Sequence, residues 1–487
     1  MAEGSSMASE EAAADCPYIN AYCRDKHNSV VQCFWTPQKG RILRSCRSFK
    51  QGEIIFREPP LHIVKEEEGN QAFQRLKELC TERPKTFEYE PLWYWAALSS
   101  LTSSSLPADA SVKPVTEDQQ RKLLLLYHNE VKKSGEAAEL LVQELKLDKC
   151  EAKLLESLLQ VWILNCFEHS DEPLGYSTYF MSSFMSHSCF PNAVWHYDED
   201  DFILRARTDI EANDEVTVSY LSEDGLFEST EWRRTHLKDS KHFICSCVRC
   251  TAVKDPCRGF RCPSCFKVSL SFGPADGDKV EVGVQEMTSR VCEHCGIGLQ
   301  PGQAAMLCGE EKLFESKIHQ AQLGIEQNDA HSGHKEQLMQ LVKDAQRAEK
   351  SLSQHFLLDK AWQIIVELYD RSCMLEDAQA VMRKRLIFQA KAYPGLNGTN
   401  AWALEAYADM MMRQQKSVLD PSVKVADEPA ARKLARSVPK VYSEALRVLR
   451  FMFGEDHVYF EQVNRKAREL DTELERYLGK TDKSDPG

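Results

Sequence analysis

The spacing of apolar residues changes several times along the chain, and each change marks a segment. From Val30 to Val64 the apolar residues form short runs broken by Gly40 and Gly52 and ending at Pro59-Pro60, which predicts strands joined by turns. Phe73, Leu76 and Leu79, then Leu123 to Tyr127, then Leu140 to Leu164 recur at three- and four-residue spacing. This is a helical period, interrupted by the Ser-rich stretch Ser99 to Ser111. Short alternating or apolar runs return at Ala193 to Tyr197, Phe202 to Ala206 and Glu215 to Tyr220, with Asp198 to Asp201 and Glu211 to Asp214 as turns. From Leu313 to Leu478 the pattern is helical almost throughout, with breaks at Pro394-Gly395, Pro421 and Gly454. Paired antiparallel helices follow from that pattern, although the spacing is too irregular to define a repeat by itself. The predicted organisation is a disordered acidic start (1–17), a β-rich part (18–64), a helical insertion (65–160), a second β-rich part (161–240), a cysteine-rich region (241–310) and a helical tail (311–480).

Composition narrows the class. A chain of 487 residues with 43% hydrophobic and 28% charged residues can fold two or three domains with cores of their own. It has no apolar run near the length of a membrane span, and the residues from Met1 to Asp15 lack a basic patch and a signal-peptide core. An intracellular protein is expected, in the cytoplasm, on the cytoskeleton or in the nucleus. The 18 cysteines lie partly in C-x2-C pairs, which in such a chain favours reduced thiols and zinc over disulfides. A net charge of −13 argues against nucleic acid as the main ligand and suits a basic protein partner. The acidic run Asp198 to Asp201 reads first as a solvated hairpin tip and second as a steering patch for a lysine-rich segment.

Two cysteine groupings carry chemistry. Cys245, Cys247 and Cys250 stand in C-x-C-x2-C spacing and leave one vertex of a tetrahedral zinc site open. Cys189, in Ser183-Phe-Met-Ser-His-Ser-Cys-Phe-Pro-Asn192, can close it and so draw a remote segment over that loop. Cys262 and Cys265 with Cys292 and Cys295 have zinc-ribbon spacing, and Cys257 and Cys308 remain as alternate ligands. Two zinc ions are expected.

The run Ser-His-Ser-Cys-Phe-Pro-Asn, followed by Glu215-Val-Thr-Val-Ser-Tyr220 and then C-x-C-x2-C, resembles the SET domain with its post-SET zinc cluster. More narrowly it resembles the SMYD group of protein lysine methyltransferases, because Gly40-Arg-Ile-Leu-Arg-Ser and Gly52-Glu-Ile-Ile-Phe match the start of such domains. The stretch where that group carries a MYND zinc finger holds only Cys80 and Cys150, so the chain is similar to forms without the finger, typified by the apical complex lysine methyltransferases of apicomplexan parasites.

The resemblance implies an α+β fold: a β-rich SET domain with a helical insertion, a zinc-binding post-SET region and an all-α, tetratricopeptide-like C-terminal domain. It implies methyl transfer from S-adenosylmethionine to a lysine of a protein substrate, histone or not. Tyr220 is then the catalytic side chain and a cofactor neighbour. Its ordinary reading would be a strand tyrosine capping a core. Lys39, Gly40 and Arg41 match the loop at the methionine carboxylate, and Asn165 an asparagine near the methionine end, although it also reads as a helix C-cap. Ser183, Ser186 and His187 are cofactor-binding residues, where His187 hydrogen-bonds the adenine or lies at the cofactor floor and is not a general base, and Phe243 matches the ring that stacks on adenine. The chain departs from the family at Ser186, where relatives carry Asn, at Ile42, where they carry a second glycine, and at Lys241, where many have a tyrosine lining the lysine channel. These departures leave open a second reading, a zinc-stapled helical-repeat adaptor with a decayed cofactor pocket. They also leave open whether a lysine would be mono-, di- or trimethylated. The chain can be monomeric or homo-oligomeric.

Overall fold

The computed structural model describes residues 13–108, 110–147, 150–272, 287–288, 290–327, 331–418 and 428–481. The chain divides into two compact units. One comprises Met1–Ser186 and Asn192–Val218, and the other comprises His187–Pro191 and Ser219–Gly487. Residues 1–12, most of the stretch expected to be disordered, lie outside the described residues.

In the first unit, β1 (Val31–Thr36) pairs antiparallel with β2 (Gly40–Ser45), from Val31 opposite Ser45 to Thr36 opposite Gly40. Gly40 has φ +68, a left-handed conformation that a side chain would strain. The Thr36 hydroxyl accepts from the Lys39 N–H and donates to the Gly40 carbonyl, both at 3.2 Å. This turn sets Lys39 and Arg41 on either side of Gly40. β10 (Glu215–Val218) pairs with β2 along its other edge, with Val216 opposite Leu43. Ile42 is buried, so this position of β2 is filled by a core side chain.

A second sheet has the order β3 (Ile54–Glu58), β9 (Asp201–Ala206), β8 (Ala193–Asp198), and Glu199-Asp200 form the tip of the β8–β9 hairpin. Arg57 pairs with Asp198 and Asp201, so part of the acidic run is matched within its own sheet. A third sheet has the order β4 (His62–Lys65), β6 (Leu174–Thr178), β5 (Phe167–Asp171). β4 follows Pro59-Pro60 and closes the segment from Val30 to Val64 for which strands are predicted.

Helices cover Gln71–Glu82, Pro91–Leu98, Glu117–Leu125, Glu136–Glu144 and Ala152–Asn165. The first buries Phe73, Leu76 and Leu79 on one stripe, and its Asn70 cap accepts from the Ala72 N–H at 3.0 Å. Pro91–Leu98 is apolar on nearly every side and is almost wholly buried, consistent with a helix inside the core. Trp95 and Trp162 anchor that core, and the Trp162 indole donates to Ser100 Oγ at 2.8 Å. Glu58, at the end of β3, is fully buried and accepts from the Met181 and Ser182 N–H groups and the Ser182 hydroxyl at 2.7–3.0 Å. It thereby fixes the segment that leads into Ser183. An additional helix, Cys16–His27, begins two residues before Tyr18, where ordered chain was expected to start.

In the second unit, a helix over Thr230–Lys241 precedes the cysteines, its Ser229 cap accepting from the Trp232 N–H at 3.1 Å. A small sheet has the order β12 (Val268–Ser271), β11 (Arg258–Arg261), β13 (Leu352–His355). Between Cys265 and Cys292, residues 273–286 lie outside the described residues. Among the described residues seven helices follow, from Pro301–Gln327 to Val458–Thr481, each beside its sequence neighbour. Arg258 binds both oxygens of Glu311 (2.8 and 2.7 Å) and His355 Nε2 lies 3.1 Å from Glu311, tying the small sheet to the first of these helices. The break expected at Pro421 is outside the described residues. No helix among the described residues is long and apolar enough to cross a membrane.

Candidate functional site

Four thiols in the second unit converge. The sulfurs of Cys189, Cys245, Cys247 and Cys250 lie within 4.8 Å of one another, with Cys189 at 3.4 Å from Cys250 and 4.0 Å from Cys245. Zinc–sulfur bonds of about 2.3 Å at tetrahedral angles place sulfurs about 3.8 Å apart, so the set fits one zinc ion. Cys262, Cys265, Cys292 and Cys295 form a second such set, with Cys262–Cys295 at 3.8 Å and Cys265–Cys292 at 3.7 Å. Its two C-x2-C turns are tight: the Phe266 and Gly296 N–H groups donate to the carbonyls of Cys262 and Cys292 at 2.8 Å. Gly296 has φ +71. The Ser264 and Cys295 N–H groups point at the Cys262 and Cys292 sulfurs at 3.4 and 3.5 Å, which orients the ligands. The leftover cysteines belong to neither set: Cys257 Sγ accepts from Arg249 at 3.2 Å, and Cys308 faces Met287.

A zinc ion with four thiolates carries two net negative charges, and burying them requires compensation. Arg233, fully buried, brings Nη2 to 3.9 Å from Cys250 Sγ, and Arg249 donates to the Cys189 carbonyl at 3.3 Å. Neither arginine was assigned a role from the sequence. An arginine near cysteines carries no spacing signal that would reveal the contact.

His187 sits against the first set. Its Nδ1 accepts the Tyr220 backbone N–H at 2.9 Å, which requires the ring proton of the neutral imidazole on Nε2, and Nε2 lies 3.2 Å from Cys189 Sγ. The imidazole therefore links a member of the four-thiol set to the main chain of Tyr220. The rings of His187, Tyr220 and Phe243 cluster, with centroids 5.3 Å apart for His187–Tyr220, 6.0 Å for His187–Phe243 and 6.3 Å for Tyr220–Phe243. Tyr220 is 40% exposed, unlike a tyrosine that caps a core. Lys241 ends the preceding helix and is half-buried.

The remaining candidates lie in the first unit. Lys39 Nζ contacts both oxygens of Glu215 (2.7 and 2.8 Å), and the Ser186 hydroxyl donates to the same carboxylate. Glu215, read from the sequence only as the start of a strand, is thus the residue on which two predicted cofactor contacts converge. Arg41 lies over the Phe184 ring at 5.0 Å. Among the described residues its buried Nη1 makes no hydrogen bond and has only an ion pair, with the Asp15 carboxylate at 3.5 Å. A buried guanidinium donor left in this state is a fit for a ligand carboxylate. Asn165 is the last residue of its helix, and its amide donates to the Val161 and Tyr127 carbonyls at 2.8 and 2.7 Å. Ser183 donates to the Tyr179 carbonyl at 2.6 Å.

The family model described as "SET domain" matches residues 40–221, from the turn at Gly40 to just past Tyr220. The chain carries a SET domain. Among curated proteins it is similar to "Histone-lysine N-methyltransferase ASHR1" of Arabidopsis thaliana, 25% identical over 46% of this chain and 58% of that protein. It is similar to "N-lysine methyltransferase SMYD2-B" of Xenopus laevis, 28% identical over 47% of this chain and 62% of that protein. A shorter stretch is 36% identical to "Protein-lysine N-trimethyltransferase SMYD5" of Gallus gallus, over 17% of this chain and 20% of that one. The SET-domain stretch is thus similar to proteins of the SMYD group. The matched stretch spans about 60% or less of these relatives.

Proposed function

We propose that this chain is an S-adenosylmethionine-dependent protein lysine N-methyltransferase. The observation that carries the reading is the linkage Cys189–His187–Tyr220, in which one imidazole joins a four-thiol metal site to the main chain of the tyrosine ending the SET-domain match. The zinc ions are structural in this scheme, since each set of four thiolates leaves no coordination position open. Bound cofactor supplies an electrophilic methyl group on a sulfonium centre. The protein supplies recognition and orientation: by the family resemblance Arg41 takes the cofactor carboxylate, and the Phe243 ring takes adenine. The Tyr220 hydroxyl orients the neutral lysine amine, whose ordinary pKa near 10.4 requires loss of its proton before attack. The net charge of −13 favours a basic protein segment as the source of that lysine.

The test is methyl transfer from labelled S-adenosylmethionine by the zinc-loaded chain to a protein extract, with modified lysines mapped by mass spectrometry. Label on lysine that disappears with Tyr220→Phe, while cofactor binding is retained, supports the assignment. Cofactor binding without any transfer to lysine contradicts it and favours the adaptor.

A further inference from the structure

The helix Cys16–His27 docks on β1 through three side chains on one face, at Cys16, Asn20 and Cys23. Asn20 brackets Cys33, its Oδ1 accepting the Cys33 N–H at 2.7 Å and its Nδ2 donating to the Cys33 carbonyl at 3.0 Å. One turn further along, the Cys23 thiol donates to the Val31 carbonyl at 3.0 Å. One turn earlier, Cys16 Sγ meets Cys33 Sγ at 3.9 Å. The Asn20 clamp therefore holds two thiols from different elements in contact, and neither belongs to the four-thiol sets.

The two sulfurs differ in ways that suit a nucleophile and its partner. Cys16 is half-buried at the first turn of its helix, where the backbone favours a thiolate, whereas Cys33 is 1% exposed in the strand. The Cys33 thiol donating to it, with Arg41 adding its charge, draws the Cys16 thiol down to about 7. Cys33 is pushed up, chiefly as the donor in that contact and then by burial. Burial pushes Cys23 up and raises Cys80 and Cys150 to about 11, so these thiols stay protonated.

We propose that Cys16 and Cys33 form a peroxide-oxidisable dithiol, closing a reversible disulfide that staples the N-terminal helix to β1. The Cys16 thiolate attacks one oxygen of hydrogen peroxide, the O–O bond breaks, and Cys16 sulfenic acid forms with release of hydroxide, which is protonated to water. Cys33 sulfur then attacks the sulfenic sulfur, the S–O bond breaks, and the departing oxygen leaves as water with the thiol proton. Two thiols lose two electrons, and the peroxide is reduced to two waters. A disulfide needs the sulfurs to close to about 2.05 Å, which rotation of Cys16 at the exposed end of the helix can supply. The proposal does not depend on the methyltransferase reading.

The test treats the zinc-loaded full chain with stoichiometric hydrogen peroxide, alkylates the remaining thiols and maps tryptic peptides. The expected product is a Cys16–Cys33 linked peptide pair, formed before zinc is released and lost on adding a thiol reductant. The oxidised chain should melt at a higher temperature than the reduced one. Cys33→Ser should leave a Cys16 sulfenic acid that a dimedone-type probe traps. Sulfinic acid on Cys16 with Cys33 still alkylated, linkage of Cys33 to another cysteine, or a Cys16 that resists peroxide until the zinc sites are destroyed would each overturn the proposal. The mapping of the unmodified sequence decides the matter even where a variant fails to fold.

Discussion

The Tyr220 backbone N–H and the Cys189 sulfur share one imidazole: His187 accepts the first at 2.9 Å and turns its other nitrogen to the second at 3.2 Å. Metal binding and the position of the proposed catalytic tyrosine are therefore mechanically connected. Replacing His187 with Ala removes the acceptor and leaves a partly buried N–H without this partner, a loss of about 1–3 kcal/mol. Turnover is expected to fall about a hundredfold through misplacement of Tyr220, while zinc content stays at two ions per chain. A variant with unchanged turnover would show that the imidazole does not position the tyrosine.

Cys189 is the only member of the first thiol set outside the C-x-C-x2-C segment. Cys189→Ser should lower bound zinc from two ions per chain to one, measured by elemental analysis. Chelator titration should separate the two sets, since the second retains all four thiols. Two zinc ions retained by the variant would mean that Cys189 is not a ligand.

Arg41 and Glu215 make opposite predictions. Arg41→Ala removes a buried donor that makes no hydrogen bond among the described residues and should weaken S-adenosylmethionine binding about tenfold to a hundredfold, the effect of one charge-assisted hydrogen bond of about 1.5–3 kcal/mol. Glu215→Gln releases Lys39 from its ion pair and should tighten binding at low salt by a factor of a few, because a partly exposed pair contributes about 1 kcal/mol or less. Calorimetric titration of both variants checks the pair, and equal affinity in all three proteins would remove the carboxylate role from this loop.

Glu58 gives a pH dependence. Burial pushes its carboxyl up to about 7 from the ordinary 4.5, against the donors from Met181 and Ser182. The folded chain therefore binds a proton more readily than the unfolded chain. The stabilisation is fully present below about pH 4.5 and is lost as pH rises through about 7. The loss across that window is on the order of 3 kcal/mol. Urea melts from pH 5 to 8 should show the unfolding free energy of Glu58→Gln declining less with pH than that of the unaltered chain. Parallel pH profiles would show that the carboxyl ionises normally.

Some of this was legible in the sequence. Cysteine spacing reported both metal sets because ligand geometry at zinc demands neighbouring thiols in short turns. Phe73, Leu76 and Leu79 reported their helix because a buried stripe repeats with the helical turn. The helix Cys16–His27 was hidden because it is short and only Ile19, Cys23 and His27 are buried along it. Glu215, Arg233 and Arg249 were hidden for a different reason. A charged side chain that serves a remote partner leaves no period and no spacing, and its role exists only once strands or loops far apart in sequence are adjacent.

The central claim is that this chain binds S-adenosylmethionine in order to methylate lysine, and calorimetric titration of the zinc-loaded chain with that cofactor tests its first requirement most directly. Saturable heat with one site per chain, weakened by Arg41→Ala, is the expected result. A fully zinc-loaded, cooperatively folded chain that gives no heat and no thermal shift would contradict the claim.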